Sequence, residues 1–226
     1  MKVKLVSYSK PSRQFTSDGI YDCQELIAFC ARVSNPSNQY NTETSEKLIK
    51  YLVKNAHWSP LEMVSACLEI ETTRDIARQI LRHRSFSFQE FSQRYADPTK
   101  DLGFVIRKAR LQDPKNRQNS IDPEPTLGNA IMADEWANKQ KEVIATALQA
   151  YNWAIDNGIA KEQARAVLPE GLTTSRMYVN GTLRSWIHFI QVRSGNGTQQ
   201  EHMDIAFECA KAIAEIFPMA ESFVSN

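Results

Sequence analysis

The sequence predicts an α+β fold, a single mixed domain that is rich in helices and built around a central, mostly antiparallel sheet. Three observations support this prediction. Strand-like segments are few and do not alternate with helices in a regular βαβ rhythm. Helical periodicity dominates the C-terminal half. The 226 residues, 42% of them hydrophobic, suffice for one core. We therefore expect one domain over residues 1–226.

The N-terminal half contains the clearest alternation of the chain. Val64, Ala66, Leu68 and Ile70 point to one face while polar residues point to the other, which predicts a half-buried strand over residues 63–71. The remaining elements expected here are a first strand at 3–8 and helices at 22–31, from 41 or 42 to 55, and 73–84.

The C-terminal half begins with a polar, proline-punctuated stretch at residues 113–125, which predicts an exposed loop. A long helix is expected over 127–157, with Ile131, Val143 and Tyr151 in its apolar stripe and Gly158 at its C-terminal cap. The further elements expected are a helix at 161–168, a strand at 173–180 and helices at 183–192 and 198–217, the last opening with a capping-box pattern from Thr198 to Glu201.

Composition excludes several classes of protein. A net charge of +1 argues against a globally basic nucleic-acid binder, so no nucleic-acid partner is expected. No stretch reaches the roughly 18 to 20 apolar residues that span a bilayer, and the N-terminal apolar run is too short for a signal peptide. The four cysteines form no C-x-x-C pair and the four histidines lack ligand spacing, so we expect reduced thiols, a cytoplasmic location and no metal.

Arginine is concentrated in one segment, where it could bind an anion. The eight glycines form no phosphate-cradling loop, so a nucleotide would have to be held by arginine forks and side-chain hydrogen bonds. Arg74, Arg78 and Arg82 are spaced four apart, and Gln79, Arg82 and His83 share a helical face. The alternative interpretation is a solvated basic helix face followed by a loop anchored by aromatic residues.

The segment Arg82-His83-Arg84, followed after seven residues by Ser92 and extended through Glu90, Arg94 and Tyr95, resembles the signature of the flavin-dependent thymidylate synthases. Further segments are similar to that family: the residues A-R-Q at 77–79, H-W-S-P at 57–60, A-R-A-V-L-P at 164–169, and the run 180–193. The match covers roughly residues 20–217. Thr182 and Gln89 stand where asparagine is common in the family, and His188 stands where some members have asparagine.

The resemblance implies conversion of deoxyuridine monophosphate (dUMP) to thymidine monophosphate, with methylenetetrahydrofolate as carbon donor, FAD as hydride donor and NADPH as reductant of the flavin. It implies that Arg193 is catalytic and lies against the uracil ring. The residues implied to bind dUMP are Gln79, Arg82, Glu90, Phe91, Ser92, Gln93, Arg94, Arg165 and Arg193. Those implied to bind FAD are His57, Ser59, Arg82, His83, Arg84, Glu90, Thr182, Arg184 and His188.

Neither Ser92 nor His202 is expected to take part in catalysis. No His–Asp pairing can be read for Ser92, so we expect this residue to hydrogen-bond the substrate and not to act as a nucleophile. His202 has no match in the resemblance and is expected at the surface.

The resemblance also implies a homotetramer with active sites shared between subunits. Two alternatives remain open: a non-catalytic nucleotide- or RNA-binding module that uses residues 74–94, and a folate- and FAD-dependent enzyme that methylates uracil in RNA.

Overall fold

The computed structural model describes residues 1–225. Its strands are β1 Lys2–Tyr8, β2 Ser65–Thr73, β3 Ser87–Glu90, β4 Leu111–Gln112, β5 Ser120–Ile121 and β6 Thr174–Thr182. Its α-helices are α1 Arg13–Ser17, α2 Cys23–Ala31, α3 Ser45–Lys54, α4 Arg74–Ile80, α5 Pro98–Asp101, α6 Leu127–Asp156, α7 Lys161–Ala164, α8 Leu183–Arg193 and α9 Gln200–Ala214. Short 3₁₀ turns lie at Pro36–Asn38, Ser59–Glu62, Arg165–Val167 and Pro218–Phe223.

The central sheet has four strands in the order β1-β2-β6-β3, and every neighbouring pair is antiparallel. The predicted α+β class with a mostly antiparallel sheet is therefore confirmed. In the β2–β6 pairing, Thr73 lies opposite Thr174 and Ser65 opposite Thr182. As a result α4, which follows β2, and α8, which follows β6, start at opposite ends of the sheet.

Burial on the sheet follows the predicted alternation. Val64, Ala66, Leu68 and Ile70 are at most 1% exposed and belong to the main core, into which helices α8 and α9 pack. The opposite face is polar: Arg176 binds Glu71 at 2.9 Å, and the neighbouring β2 and β6 side chains remain partly exposed. Antiparallel sheets commonly have one face packed on the core and the other exposed to solvent.

Two predictions for the first half of the chain need correction. The helix expected over 73–84 ends at Ile80, because from Arg82 onward the N–H groups bond to carbonyls three residues back, Arg82 to Gln79 and His83 to Ile80, and the chain enters tight turns. The segment after it is partly a strand, β3, and not a loop throughout. Alternation of buried Phe86 and half-buried Phe88 with exposed Ser87 and Gln89 accounts for that strand.

The second half departs from the prediction in several places. The helix expected over 161–168 is α7 Lys161–Ala164 followed by the 3₁₀ turn Arg165–Val167. The polar stretch 113–125 includes β5, which pairs with β4 in a hairpin. Helix α6 has the expected bounds and Gly158 follows it at φ 76°, but Ile131 and Val143 are about half exposed. Helix α9 begins after Gln199 without a side-chain cap, so the predicted capping box is wrong. The reason is that Glu201 forms an ion pair with Arg110 instead.

Within the described residues, no helix has both the length and the apolar character that crossing a membrane requires.

Candidate active site

A cavity of about 560 Å³ opens where α4, α8 and the start of α9 meet. We call it the arginine pocket, and the lining residues used below are Arg78, Gln79, Arg82, Arg193, Thr198 and Gln199. Three guanidinium groups line this cavity. Arg78 is paired with Glu170 at 3.0 Å, and Arg82 and Arg193 supply positive charge that does not depend on the nearly neutral net charge. The pocket therefore suits a small anionic ligand.

Arg193 is held in this pocket by His83. The Nε of Arg193 donates a hydrogen bond of 2.8 Å to Nε2 of His83, which leaves both terminal nitrogens of the guanidinium group available to a ligand. Burial, followed by the nearby charges of Arg193, His188 and Arg82, lowers the pKa of His83 to about 4. His83 is therefore neutral at physiological pH and can accept this bond, with its ring packed 5.1 Å from that of Phe189.

His202 is fully buried beside this pair, so its expected surface position is wrong. Its ring lies 6.4 Å from that of His83, and its Nδ1 lies 3.1 Å from Oε1 of Gln79. Burial, with Arg193, His83 and Arg82 next in effect, lowers the pKa of His202 to about 3. The sequence did carry a signal for this position. His202 shares a helical face with Ile205, Ala206, Cys209 and Ile213, which are all buried.

A second cavity, of about 310 Å³, adjoins the first at Arg78, which lines both. We call it the loop pocket; its lining side chains include Arg74, Arg78, Gln93, Glu162, Arg165 and Glu170. Gln93 is 4% exposed, and its buried Nε2 has no hydrogen-bond partner among residues 1–225. A buried amide donor without a partner is costly, so Gln93 indicates a ligand that accepts hydrogen bonds.

The motif residues Ser92 and Arg94 are next to Gln93 in the chain but do not line the loop pocket themselves. Arg94 binds Glu162 at 3.3 Å, and the carbonyl of Glu162 accepts a bond from Nε of Arg165. The hydroxyl of Ser92 accepts a bond from the backbone N–H of Arg94, so it stabilises the turn and shows no base that would activate it.

Glu90 and Phe91 lie at the edge of the sheet. The Glu90 carboxylate accepts hydrogen bonds from Ser175 at 2.8 Å and from Arg74 at 3.4 Å, so it is held within the fold. The backbone N–H of Phe91 bonds to the carbonyl of Arg176.

A third cavity, of about 490 Å³, lies at the start of α8 and is lined by Trp58, Glu62, Ser85, Thr182, Arg184, Ser185 and His188. We call it the helix pocket. Thr182 caps α8 by accepting a bond from the N–H of Ser185, and Arg184 forms an ion pair with Glu62. Arg184 and His188 are one helical turn apart and both exposed, so their donors can reach a single ligand.

Half of the sixteen residues singled out in the sequence line a pocket, and they are divided among three pockets. Gln79, Arg82 and Arg193 line the arginine pocket, Gln93 and Arg165 line the loop pocket, and Thr182, Arg184 and His188 line the helix pocket. His57, Ser59 and Arg84 are exposed. The turn 82–85 links two of the pockets, because Arg82 lines one and Ser85 another.

No group of three or more His, Cys, Asp or Glu side chains able to hold a metal ion occurs in residues 1–225. All four cysteines are free, and burial raises the pKa of Cys23 to about 11.

The fold and these pockets define the class: a single-domain α+β protein with adjoining pockets lined by arginine side chains. Residues 18–219 match the family model described as thymidylate synthase complementing protein. The chain therefore belongs to that family.

Relatives of known name agree with this assignment. The chain is 45% identical over 218 residues to a probable flavin-dependent thymidylate synthase of Paramecium bursaria Chlorella virus 1, with 96% of each chain covered. It is also 45% identical over 221 residues to the flavin-dependent thymidylate synthase of Synechocystis sp., again with 96% of each covered. The resemblance seen in the signature of residues 82–95 is therefore confirmed across almost the whole chain.

Solved structures show the same fold. The chain superimposes on the UMP/dUMP methylase PolB from Streptomyces cacaoi, bound with 5-Br UMP, with a TM-score of 0.79 and 24% identity, covering 100% of this chain and 96% of that one. A second structure of PolB, bound with 5-Br dUMP, gives a TM-score of 0.76 at 24% identity and covers 98% and 93%.

Proposed function

We propose that this protein is a thymidylate synthase that uses FAD and NADPH to convert dUMP and methylenetetrahydrofolate into thymidine monophosphate. The observation that carries the proposal is the anchoring of Arg193. Its Nε is occupied by neutral His83, and its terminal nitrogens remain available in a cavity that Arg78 and Arg82 also line. Membership of the family and the names of its relatives support the reaction class.

Arg193 is proposed to stabilise negative charge that develops on the uracil ring. A guanidinium group remains protonated at neutral pH and presents a planar fork to a developing oxyanion or ring anion. Because His83 fixes one edge of that fork, little reorganisation is required when the charge develops. In this arrangement Arg193 activates the ring by electrostatics, and no thiolate addition is needed.

The nucleotide is proposed to be held by two sets of residues. Gln79, Arg82 and Arg193 lie at the arginine pocket, and residues at or beside the loop pocket supply the rest: Glu90, Phe91, Ser92, Gln93, Arg94 and Arg165. The unpartnered donor of Gln93 supports a phosphate or sugar oxygen as the group recognised there.

The protein is proposed to assemble as a homotetramer in which neighbouring copies complete each site. The division of the proposed dUMP residues between two pockets supports this arrangement. Helix α6 supports it as well, since Leu127, Ile131, Val143 and Trp153 expose at least half of their surface along its length.

The helix pocket is proposed to hold the flavin. Its donors fit an anionic, hydrogen-bonding cofactor: Arg184 and His188 on one face of α8, with the hydroxyl of Thr182 at the helix start. Arg82, His83 and Arg84 in the adjoining turn, Glu90, and the exposed His57 and Ser59 complete the proposed set. When bound, a reduced flavin would supply a hydride. The protein groups bind the flavin, orient it and exclude water.

The proposed location is the cytoplasm, and the four free thiols support a reducing compartment. The alternative of a non-catalytic RNA-binding module is disfavoured by the chain's membership of a family whose named members are enzymes.

The deciding experiment is anaerobic incubation of the purified protein with NADPH, methylenetetrahydrofolate and dUMP. We expect oxidation of the reduced flavin together with formation of thymidine monophosphate. Arg193→Ala should abolish product formation while leaving the fold intact. Methylation of uracil in RNA without turnover of free dUMP would refute the proposal in favour of an RNA-modifying enzyme.

A further inference from the structure

A chain of hydrogen bonds runs from the arginine pocket to a buried carboxylate. Glu201 is 6% exposed and forms an ion pair with Arg110, which lies just before strand β4. Its second oxygen accepts a bond of 2.9 Å from Nε2 of Gln199. Gln199 in turn accepts a bond of 2.8 Å from Nε2 of Gln79, and Oε1 of Gln79 faces His202.

The direction of every bond in this chain follows from the charge at its end. A carboxylate only accepts hydrogen bonds, so Gln199 must turn its NH₂ group toward Glu201 and its oxygen toward Gln79. Gln79 must then turn its own NH₂ group toward Gln199. Its oxygen is left facing Nδ1 of His202, which must carry the proton.

His202 satisfies this requirement because it is buried and neutral. Burial lowers its pKa to about 3, so the ring carries one proton, and the contact with Gln79 places that proton on Nδ1. Nε2 then carries a lone pair and no proton. It is buried and without a partner among residues 1–225.

We propose that Gln199 and Glu201 are positioning residues that fix the amide of Gln79 in one orientation, so that the nucleotide meets one arrangement of donor and acceptor. An amide has two N–H donors and an oxygen with two lone pairs. One of each is used within the chain, so one donor and one acceptor of Gln79 remain for a ligand in the arginine pocket. This inference rests on the proposed function, because it takes dUMP as that ligand.

Without the buried carboxylate, the amide of Gln79 would have two orientations of similar energy. The nucleotide would then have to select one of them, and part of its binding free energy would be lost in doing so. Glu201 does not line the arginine pocket and acts on recognition through Gln79. Gln199 lines the pocket beside Gln79 and connects the two.

The test is a double-mutant cycle on binding of dUMP to the FAD-loaded protein. Glu201→Gln keeps the shape of the side chain but can donate as well as accept, so it releases the orientation. We expect the Kd for dUMP to rise about five- to tenfold. Glu208→Gln, an equal charge change at an exposed ion pair with Lys211 on the same helix, should leave that Kd unchanged. In a Gln79→Met background, Glu201→Gln should have no further effect.

An equal effect of Glu201→Gln with and without Gln79 would overturn the proposal, because it would show an action that bypasses the amide. Should Glu201→Gln fail to fold, Gln199→Met cuts the same chain while leaving the Arg110–Glu201 pair in place. Because Gln199 also lines the arginine pocket, the same loss is expected in the wild-type background and none in the Gln79→Met background; a loss in both backgrounds would overturn the proposal.

A spectroscopic measurement separates this inference from the proposed function. In protein labelled with ¹⁵N-histidine, we expect the His202 signals of an Nδ1–H tautomer in the wild type and in Glu208→Gln. In Glu201→Gln they should shift toward the Nε2–H form. An unchanged tautomer would overturn the proposed chain. A shift in a protein that does not bind dUMP would leave the chain in place and refute the proposed substrate instead.

Discussion

Replacing Arg193 by lysine separates the charge of this side chain from its planar shape. In the wild type, Nε is 2.8 Å from Nε2 of His83 and both terminal nitrogens remain for the ligand. A lysine ammonium is a single point: it can occupy the place beside His83 or reach the ligand, but it cannot do both. The variant therefore loses at least one prepositioned donor while it keeps its charge.

The loss of one such donor in a preorganised site costs about 10²- to 10³-fold in kcat, which corresponds to about 2.7 to 4 kcal/mol of transition-state stabilisation. We expect that range for Arg193→Lys, and less than about a tenfold change in the Kd for dUMP, because Arg78 and Arg82 still line the pocket.

The assay is single-turnover formation of thymidine monophosphate by the pre-reduced enzyme, with Kd measured separately. Arg176→Lys is a matched control, since Arg176 binds Glu71 on the polar face of the sheet. Wild-type turnover by the Arg193→Lys variant would refute the argument that the anchored fork, and not the charge alone, activates the ring.

Three further predictions concern stability and binding. Gly181→Ala should destabilise the protein by about 1 to 3 kcal/mol, because its Cβ would overlap the ring of Phe86, which is itself packed in the core. The free energy of unfolding, measured in denaturant, should fall by up to about 1.4 kcal/mol per pH unit for each of His83 and His202 as pH drops from about 6.5 toward 4, because both are neutral when folded and take up a proton on unfolding. Arg82→Ala should weaken binding of both flavin and nucleotide, measured by titration of each ligand.

Each of these three has a clear contrary result. Gly171→Ala, where a Cβ meets no atom within 4 Å, should cost much less than the change at Gly181, and equal losses would show that the contact with Phe86 is not responsible. Stability that does not change over that pH window would show that the two histidines are not held neutral. Unaltered binding of both ligands to the Arg82→Ala variant would contradict a shared position between the proposed sites.

Local patterns in the sequence predicted the elements that depend on local physics. The alternation of residues 64–70 gave a strand with the correct buried face. Asp22 and Glu25 form the capping box that starts helix α2 where the periodicity placed it. Element ends were less accurate, as at α4, because the turn after Ile80 is stabilised by contacts that periodicity does not report.

The candidate site could be predicted only in part. Arg193 and His83 are 110 residues apart, and nothing in local spacing brings them together; only the resemblance to a family indicated a common site. The sequence pattern indicated that Glu201 is part of a helix cap, whereas its carboxylate forms an ion pair with Arg110, 91 residues earlier in the chain. The hairpin of β4 and β5 has two residues in each strand, which is too short for any periodic signal.

The ion pair of Arg184 with Glu62 affects how strongly the affinity of the helix pocket for an anionic cofactor depends on ionic strength. An anionic cofactor that takes the place of the Glu62 carboxylate on Arg184 exchanges one ion pair for another. The number of paired charges then hardly changes, and the affinity should depend only weakly on ionic strength. Glu62 therefore competes with the cofactor for Arg184. The Glu62→Gln variant should bind the cofactor more tightly, and its affinity should depend more strongly on salt concentration.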